Sequence, residues 1–121
     1  MADMSNVLEV DLLNSTLNGA AFTPVDNPYV SLWTSDPTDA ETGTEVSGGS
    51  YARIASSFPT ATTNTVATDA DVTFAEATST WGTVGWIGLH SASTGTSNMI
   101  YHTALDAAKT IDTGDVFKIT V

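Results

Sequence analysis

The stretch Trp81-Gly-Thr-Val-Gly-Trp-Ile-Gly-Leu-His90 carries apolar bulk on both of its alternating faces. Alternation places Val84 and Trp86 on one side and Ile87 and Leu89 on the other. A strand apolar on both sides belongs in the middle of a sheet rather than at its edge. Gly82, Gly85 and Gly88 interrupt the run, and glycine inside a strand marks a bulge or a close backbone approach. The segment therefore demands a curved, well-covered β structure around it. Truncating Trp86 to alanine at such a place is expected to cost about 3–5 kcal/mol.

The remaining segments supply that cover. Tyr29-Val-Ser-Leu-Trp-Thr-Ser35 reads as a strand with Val30, Leu32 and Thr34 on one face and Tyr29, Ser31 and Trp33 on the other. Tyr51 to Phe58 and Asp71 to Ala75 read as extended pieces. Asn98 to Leu105 returns after a Ser/Thr/Gly turn to form a hairpin with residues 81–90, and Val116 to Val121 alternates cleanly. One helix is expected in front of them. Asn6 is a capping residue, Glu9 stands three residues on, Leu8, Leu12, Leu13 and Leu17 recur at helical spacing, and Gly19 supplies a stop. Strands at this spacing without helices between them predict an antiparallel β-sandwich, jelly-roll or immunoglobulin-like, as one domain over residues 1–121. Residues 6–18 form its short N-terminal helix, docked either on the sandwich or on a neighbour.

Charge limits the partners. The chain of 121 residues holds 14 acids and 3 bases, a net charge of −11. A phosphate backbone or an anionic membrane surface needs clustered lysines or arginines, and Arg53, Lys109 and Lys118 are scattered. Neither nucleic acid nor membrane is an expected partner. No apolar run is long enough to cross a bilayer, and no signal-peptide pattern opens the chain. There are no cysteines, so neither a disulfide framework nor a thiol nucleophile is available.

Candidate chemistry is sparse. Asp36, Asp39, Glu41 and Glu45 are hard oxygen ligands on a long loop with Gly43 among them, but their spacing departs from the calcium-loop pattern, and a solvated turn is the plainer reading. His90 and His102 lie on the two strands of the expected hairpin, yet two imidazoles fall short of the three protein ligands of a catalytic zinc. No Gly-x-Ser-x-Gly elbow is present, and Gly82, Gly85 and Gly88 do not make a dinucleotide fingerprint. Asp69 and Asp71 would share a strand face, without an evident cleft for glycosidase work. Neither an enzyme nor a cofactor is expected. Tyr29 with Trp33, or Trp81 with Trp86, would make a sugar-stacking platform if exposed and core packing if not.

Several pieces taken in order carry a resemblance. Tyr29-Val-Ser-Leu-Trp-Thr-Ser-Asp-Pro, Gly43-Thr-Glu-Val-Ser-Gly-Gly-Ser-Tyr-Ala-Arg53, Val72-Thr-Phe-Ala-Glu-Ala-Thr78, residues 81–89, Ser91-Ala-Ser-Thr-Gly95, Tyr101-His-Thr-Ala-Leu105 and Lys109-Thr-Ile-Asp-Thr-Gly-Asp115 resemble a family of small tailed-phage virion proteins, often labelled tail-fibre proteins. The resemblance implies a non-catalytic structural protein of the particle, made in the host cytoplasm and located in the virion. It also implies that Tyr51-Ala-Arg53 and the glycines before it are structural fixtures. No shaft repeat or heptad is encoded, which favours a capsid decoration (cement or knob) protein in many copies, burying apolar area across capsomer or subunit boundaries as a homo-oligomer. The alternatives are a tail-fibre or tail-tip component touching the host surface, with a host glycan as its partner, and a carbohydrate-binding module. The residues expected at contacts with other virion proteins are Leu8, Leu12, Leu13, Leu17, Trp33, Trp81 and Trp86.

Overall fold

The computed structural model describes residues 2–121; Met1, the first residue of the expected domain, lies outside them. In chain order the described residues form β1 (Asp3–Met4), α1 (Asn6–Leu17), β2 (Tyr29–Trp33), β3 (Ile54–Ala55), β4 (Val72–Thr73), β5 (Gly82–His90), β6 (Met99–Ile111) and β7 (Lys118–Ile119). The strands build two antiparallel sheets, one of five strands in the order β1-β6-β5-β2-β3 and one of two, β4-β7. β5 is the middle strand of the larger sheet, the place expected for it. The chain is thus an all-β protein with a single helix among the described residues.

One apolar core joins the sheets. Val30 and Leu32 of β2 meet Val72, Phe74, Trp81, Val84, Ile111 and Phe117, with Ile87, Leu89 and Ile119 packed against them. Phe74 sits at the centre of an aromatic set, edge-on to Trp81 and Phe117 and stacked on Tyr51. These offset and edge-to-face contacts suit ring quadrupoles and add to the burial of large apolar area.

The alternation of β2 is as expected: Val30 and Leu32 face the core, Ser31 and Trp33 the other side. That of β5 is not. Leu32 pairs with Ile87 and Trp33 with Trp86, so Ile87 shares the core face and Trp86 the opposite one, whereas Val84 also lies in the core. The strand turns over at Gly85. There the register with β6 breaks, because Val84 pairs with Lys109 and Trp86 with Ala104, leaving Leu105–Ala108 opposite a single residue. An irregularity of this kind re-aims every side chain beyond it. Trp86 is accordingly half-buried and outside the core, and its truncation should cost less than a core tryptophan's.

Other boundaries shift too. β6 runs on to Ile111, six residues past the expected end at Leu105, because residues 109–111 pair with residues 82–84 at the start of β5. The extended pieces around Ile54, Val72 and Lys118 keep only two paired residues each. The helix is capped by Ser5 rather than Asn6: its hydroxyl accepts from Leu8 N at 3.3 Å and donates to the Met99 carbonyl, tying the helix start to β6. At the other end Gly19, at φ +67°, turns the chain so that Ala20 N–H returns to the Asn14 carbonyl.

Candidate functional site: a sealed polar cluster and an open helix face

The side of the main sheet opposite the core is covered by the loop from Asp36 to Glu45 and the turn from Ser91 to Ser97. The loop is attached at both ends. Glu45 bridges to Trp33 and Val46 N–H donates to the Leu32 carbonyl, extending the edge of β2 beyond β3; Asn6 N–H donates to Asp39 O beside the helix. The acids of this loop are therefore not all in a solvated turn. Glu41 and Glu45 point inward.

Arg53 meets them. Its guanidinium donates from Nε and Nη2 to the two oxygens of Glu45 at 2.8 and 2.7 Å, a bidentate pair. The remaining donors reach the carbonyls of Ala92 and Gly95 and Asn98 Oδ1. All five guanidinium N–H groups are used, which is the condition for burying the charge, here only 8% exposed. Burial works against the Arg53 cation, but the Glu45 carboxylate outweighs it and raises its pKa further. Burial likewise opposes the Glu45 charge, and the hydrogen bonds from Arg53 and Tyr51 outweigh it, holding the carboxyl below its usual range. Tyr51 donates to Glu45 Oε1 at 2.8 Å and accepts from Leu32 N–H, and burial pushes its phenol far upward.

A hydrogen-bonded chain continues across the sheet. Trp33 Nε1 donates to Ser31 Oγ at 2.6 Å, Ser31 Oγ lies 2.8 Å from His90 Nε2, and His90 Nδ1 lies 2.8 Å from Asn98 Oδ1. Asn98 Nδ2 donates to the carbonyls of Thr94 and Thr96, so its oxygen faces the imidazole. His90 Nδ1–H donates to that oxygen, and Ser31 Oγ, which also lies 3.3 Å from the Gly88 carbonyl, fills the Nε2 side. Burial lowers the His90 pKa, and the Arg53 charge lowers it further. Glu41 Oε2 accepts from the Asn98 and Met99 N–H groups, while Oε1 has no hydrogen bond and lies 3.6 Å from His90 Nδ1 and 3.7 Å from Arg53 Nη2.

Ser31, His90 and Glu41 thus stand in the order of a nucleophile, a base and an acid. Ser31 and His90 are fully buried, however, and the Trp33 ring stacks on His90 at 6.1 Å. No path brings a carbonyl to Ser31 Oγ. Gly88 completes the seal: a Cβ there would stand 2.8 Å from Ser31 Oγ and 3.1 Å from both His90 Nε2 and Trp33 Nε1.

The other candidates disperse. Asp36 accepts from Thr38 N–H and Asp39 pairs with His102 Nε2 at 2.9 Å, while Glu41 and Glu45 share Arg53, so the four acids proposed for calcium do not gather at one point. Among the described residues no three acids and histidines converge on a metal position. His90 and His102 do lie on the paired strands, each held by different groups. Asp69 accepts from Ser57 and Asp71 pairs with Lys118, whose ammonium lowers its pKa. Of the aromatic pairs, Trp33 and Trp81 are buried, so neither pair presents two open rings. Trp81 Nε1 donates to the Gly49 carbonyl.

The expected contact leucines divide. Leu8 is buried on β6 and Leu12 half-buried, but Leu13 is 57% and Leu17 81% exposed, with Val10 beside them at 54%. At 3.6 residues per turn the four leucines never form one stripe: Leu13 and Leu17 lie within roughly 60° of Val10, and Leu8 and Leu12 lie on the far side of the axis. α1 has two apolar faces, one spent on the fold and one open. No described helix is long and apolar enough to span a bilayer.

A sequence-family model described as podophage GP4 fiber I protein gp80 matches residues 3–121. The chain belongs to this family. It is therefore a structural protein of the phage fibre type, with its place in the virion, and the match spans the helix, both sheets and the sealed cluster. No curated protein matches the chain. Sequence reasoning had marked Tyr51 and Arg53 as fixtures through family resemblance alone. The residue signal was present as well: an arginine in so acidic a chain, a few residues after a run of acids, has carboxylates on hand.

Proposed function

We propose that this protein is a non-catalytic fibre component of a tailed-phage particle, a folded β unit that joins the virion through its open helix face. The family match over nearly the whole chain carries this reading. The sealed Ser31–His90–Glu41 cluster supports it, since those groups are consumed in holding loops to the sheet. With its buried side anchored by Ser5 and Leu8, α1 is a rigid ledge presenting Val10, Leu13 and Leu17 outward. Immunogold labelling of purified particles tests the placement: label confined to the tail is expected, and label spread over the head would overturn it. That second outcome belongs to the decoration reading, in which many copies cover the capsid; the lack of a shaft-forming repeat in the sequence is the observation that favours it.

A further inference from the structure

We infer that copies of this chain join head to tail, with the open face of α1 of one copy seated in a groove between the second half of β6 and the segment that holds β7 on the next. This deepens the fibre reading and rests on it: a chain without a shaft repeat still builds a file or a ring by repeating whole copies. The groove encloses about 640 Å³ and is lined by the apolar side chains of Leu105, Ile111, Phe117 and Ile119. Val116, 51% exposed, stands beside them. The ridge of Val10, Leu13 and Leu17 is the exposed apolar surface that fills such a groove. The two surfaces belong to opposite ends of β6. Ser5, the cap of α1, is bonded to the Met99 and Ile100 carbonyls at the start of that strand, the groove begins at Leu105, and no residue of α1 lines it. A contact between two different surfaces leaves one of each free, so it continues from copy to copy until it closes.

Charge selects the second copy. Glu9 and Asp11, both exposed, flank the ridge on either side of the helix, and no basic residue stands in its last turn. Cations complement such a border. Of the three bases in the chain, Arg53 is enclosed by Glu41 and Glu45. The other two, Lys109 and Lys118, are both exposed and both line this groove. Lys118 pairs with Asp71, and Asp106 and Asp115 share the lining, so the groove has no positive field of its own. Lys109 has no ion pair among the described residues and is the cation open to Glu9 or Asp11 of the next copy. Two copies packed helix to helix would instead bring four carboxylates to one apolar seam with no base beside them.

Light scattering and sedimentation of the purified full-length protein test this, up to roughly millimolar concentration, the weak end of specific association. The mass should rise with concentration. Leu13→Gln/Leu17→Gln blunts the ridge and Lys109→Glu/Val116→Asp blunts the groove. Each should raise the dissociation constant at least ~10-fold, the order expected for one leucine left in water. Melting temperatures should not change, because all four side chains are exposed. An equimolar mixture of the two variants keeps one intact ridge and one intact groove, and should form a dimer with wild-type affinity and stop there. A mixture that stays monomeric while the wild type assembles would overturn the inference. So would assembly kept in full by the groove variant alone, the mark of a helix-to-helix dimer. A wild type that is monomeric throughout would also overturn it, leaving the helix face to another virion protein and the fibre reading intact. If either variant melts lower, carbodiimide coupling of mixed unlabelled and isotope-labelled wild type decides: a mixed-isotope link from Lys109 to Glu9 or Asp11 is expected, and its absence would contradict the contact. Immunogold label over the head would overturn the fibre reading whatever the mass of the free protein.

Discussion

The two faces of β2 and β5 are covered by opposite means. On one face Val30, Leu32, Ile87 and Leu89 meet Phe74 and Trp81 in a core without charge; on the other Ser31, Trp33 and His90 lie under Arg53, Glu41 and Asn98. The apolar face is held by area removed from water, which tolerates changes of shape. The polar face is held by pairing, since every Arg53 donor has a partner and one deletion leaves a buried charge without its counterpart. The first fixes how the two sheets stack. The second fixes where two long loops lie on the sheet, something an apolar contact would do less specifically.

Substitutions separate the two. Trp81→Ala, removing a buried indole with its Gly49 hydrogen bond, should cost about 3–5 kcal/mol by urea unfolding, the largest single loss expected. Arg53→Met should cost about 3 kcal/mol, because it strands Glu41 and Glu45 together. Adding Glu41→Gln and Glu45→Gln to it should recover part of that loss, whereas no second change at a distant site rescues Trp81→Ala; failure of the recovery would mean the polar face acts by shape alone. Gly88→Ala, which drives a methyl into Ser31, His90 and Trp33, should cost about 1–3 kcal/mol.

Acid should act first on the polar face, where the most buried titratable groups lie. The folded chain keeps His90 neutral below its ordinary value of 6.5, where the unfolded chain takes up a proton, so stability falls as pH drops below 6.5 by at most ~1.4 kcal/mol per pH unit. A second decline follows below 4.5, where Glu45 stays ionised in the folded chain and the unfolded chain protonates. His90→Gln should flatten the first decline and leave the second. An unaltered slope in that variant would show that His90 is not the group being titrated.

How much of this was legible follows the same division. The alternation of Val30 and Leu32 against Ser31 and Trp33 depends on strand period and was readable. The central place of β5 was expected as well, but from two apolar faces that the strand does not have, since Val84, Ile87 and Leu89 all serve the core. The turnover at Gly85 was not, because it arises from the four-residue excursion of β6 opposite it, which a single strand does not encode. The helix was readable, but its cap and faces depended on tertiary contacts: Ser5 was chosen by the Met99 carbonyl, and β6 decided which leucines went inside. The polar cluster was the least legible. Arg53 reaches partners 8, 39, 42 and 45 residues away, and no local pattern pairs such positions. Net charge hid it too, since the acids of the 36–45 loop read as solvated until two of them were found facing inward.

That a domain with its polar chemistry sealed inside serves as a fibre part through one open helix face is tested most directly by the copy number of the protein per purified particle. Quantitative mass spectrometry against the major capsid protein and a tail protein should give a number matching the tail components. A number scaling with the capsid protein would contradict it and make the chain a decoration protein of the head.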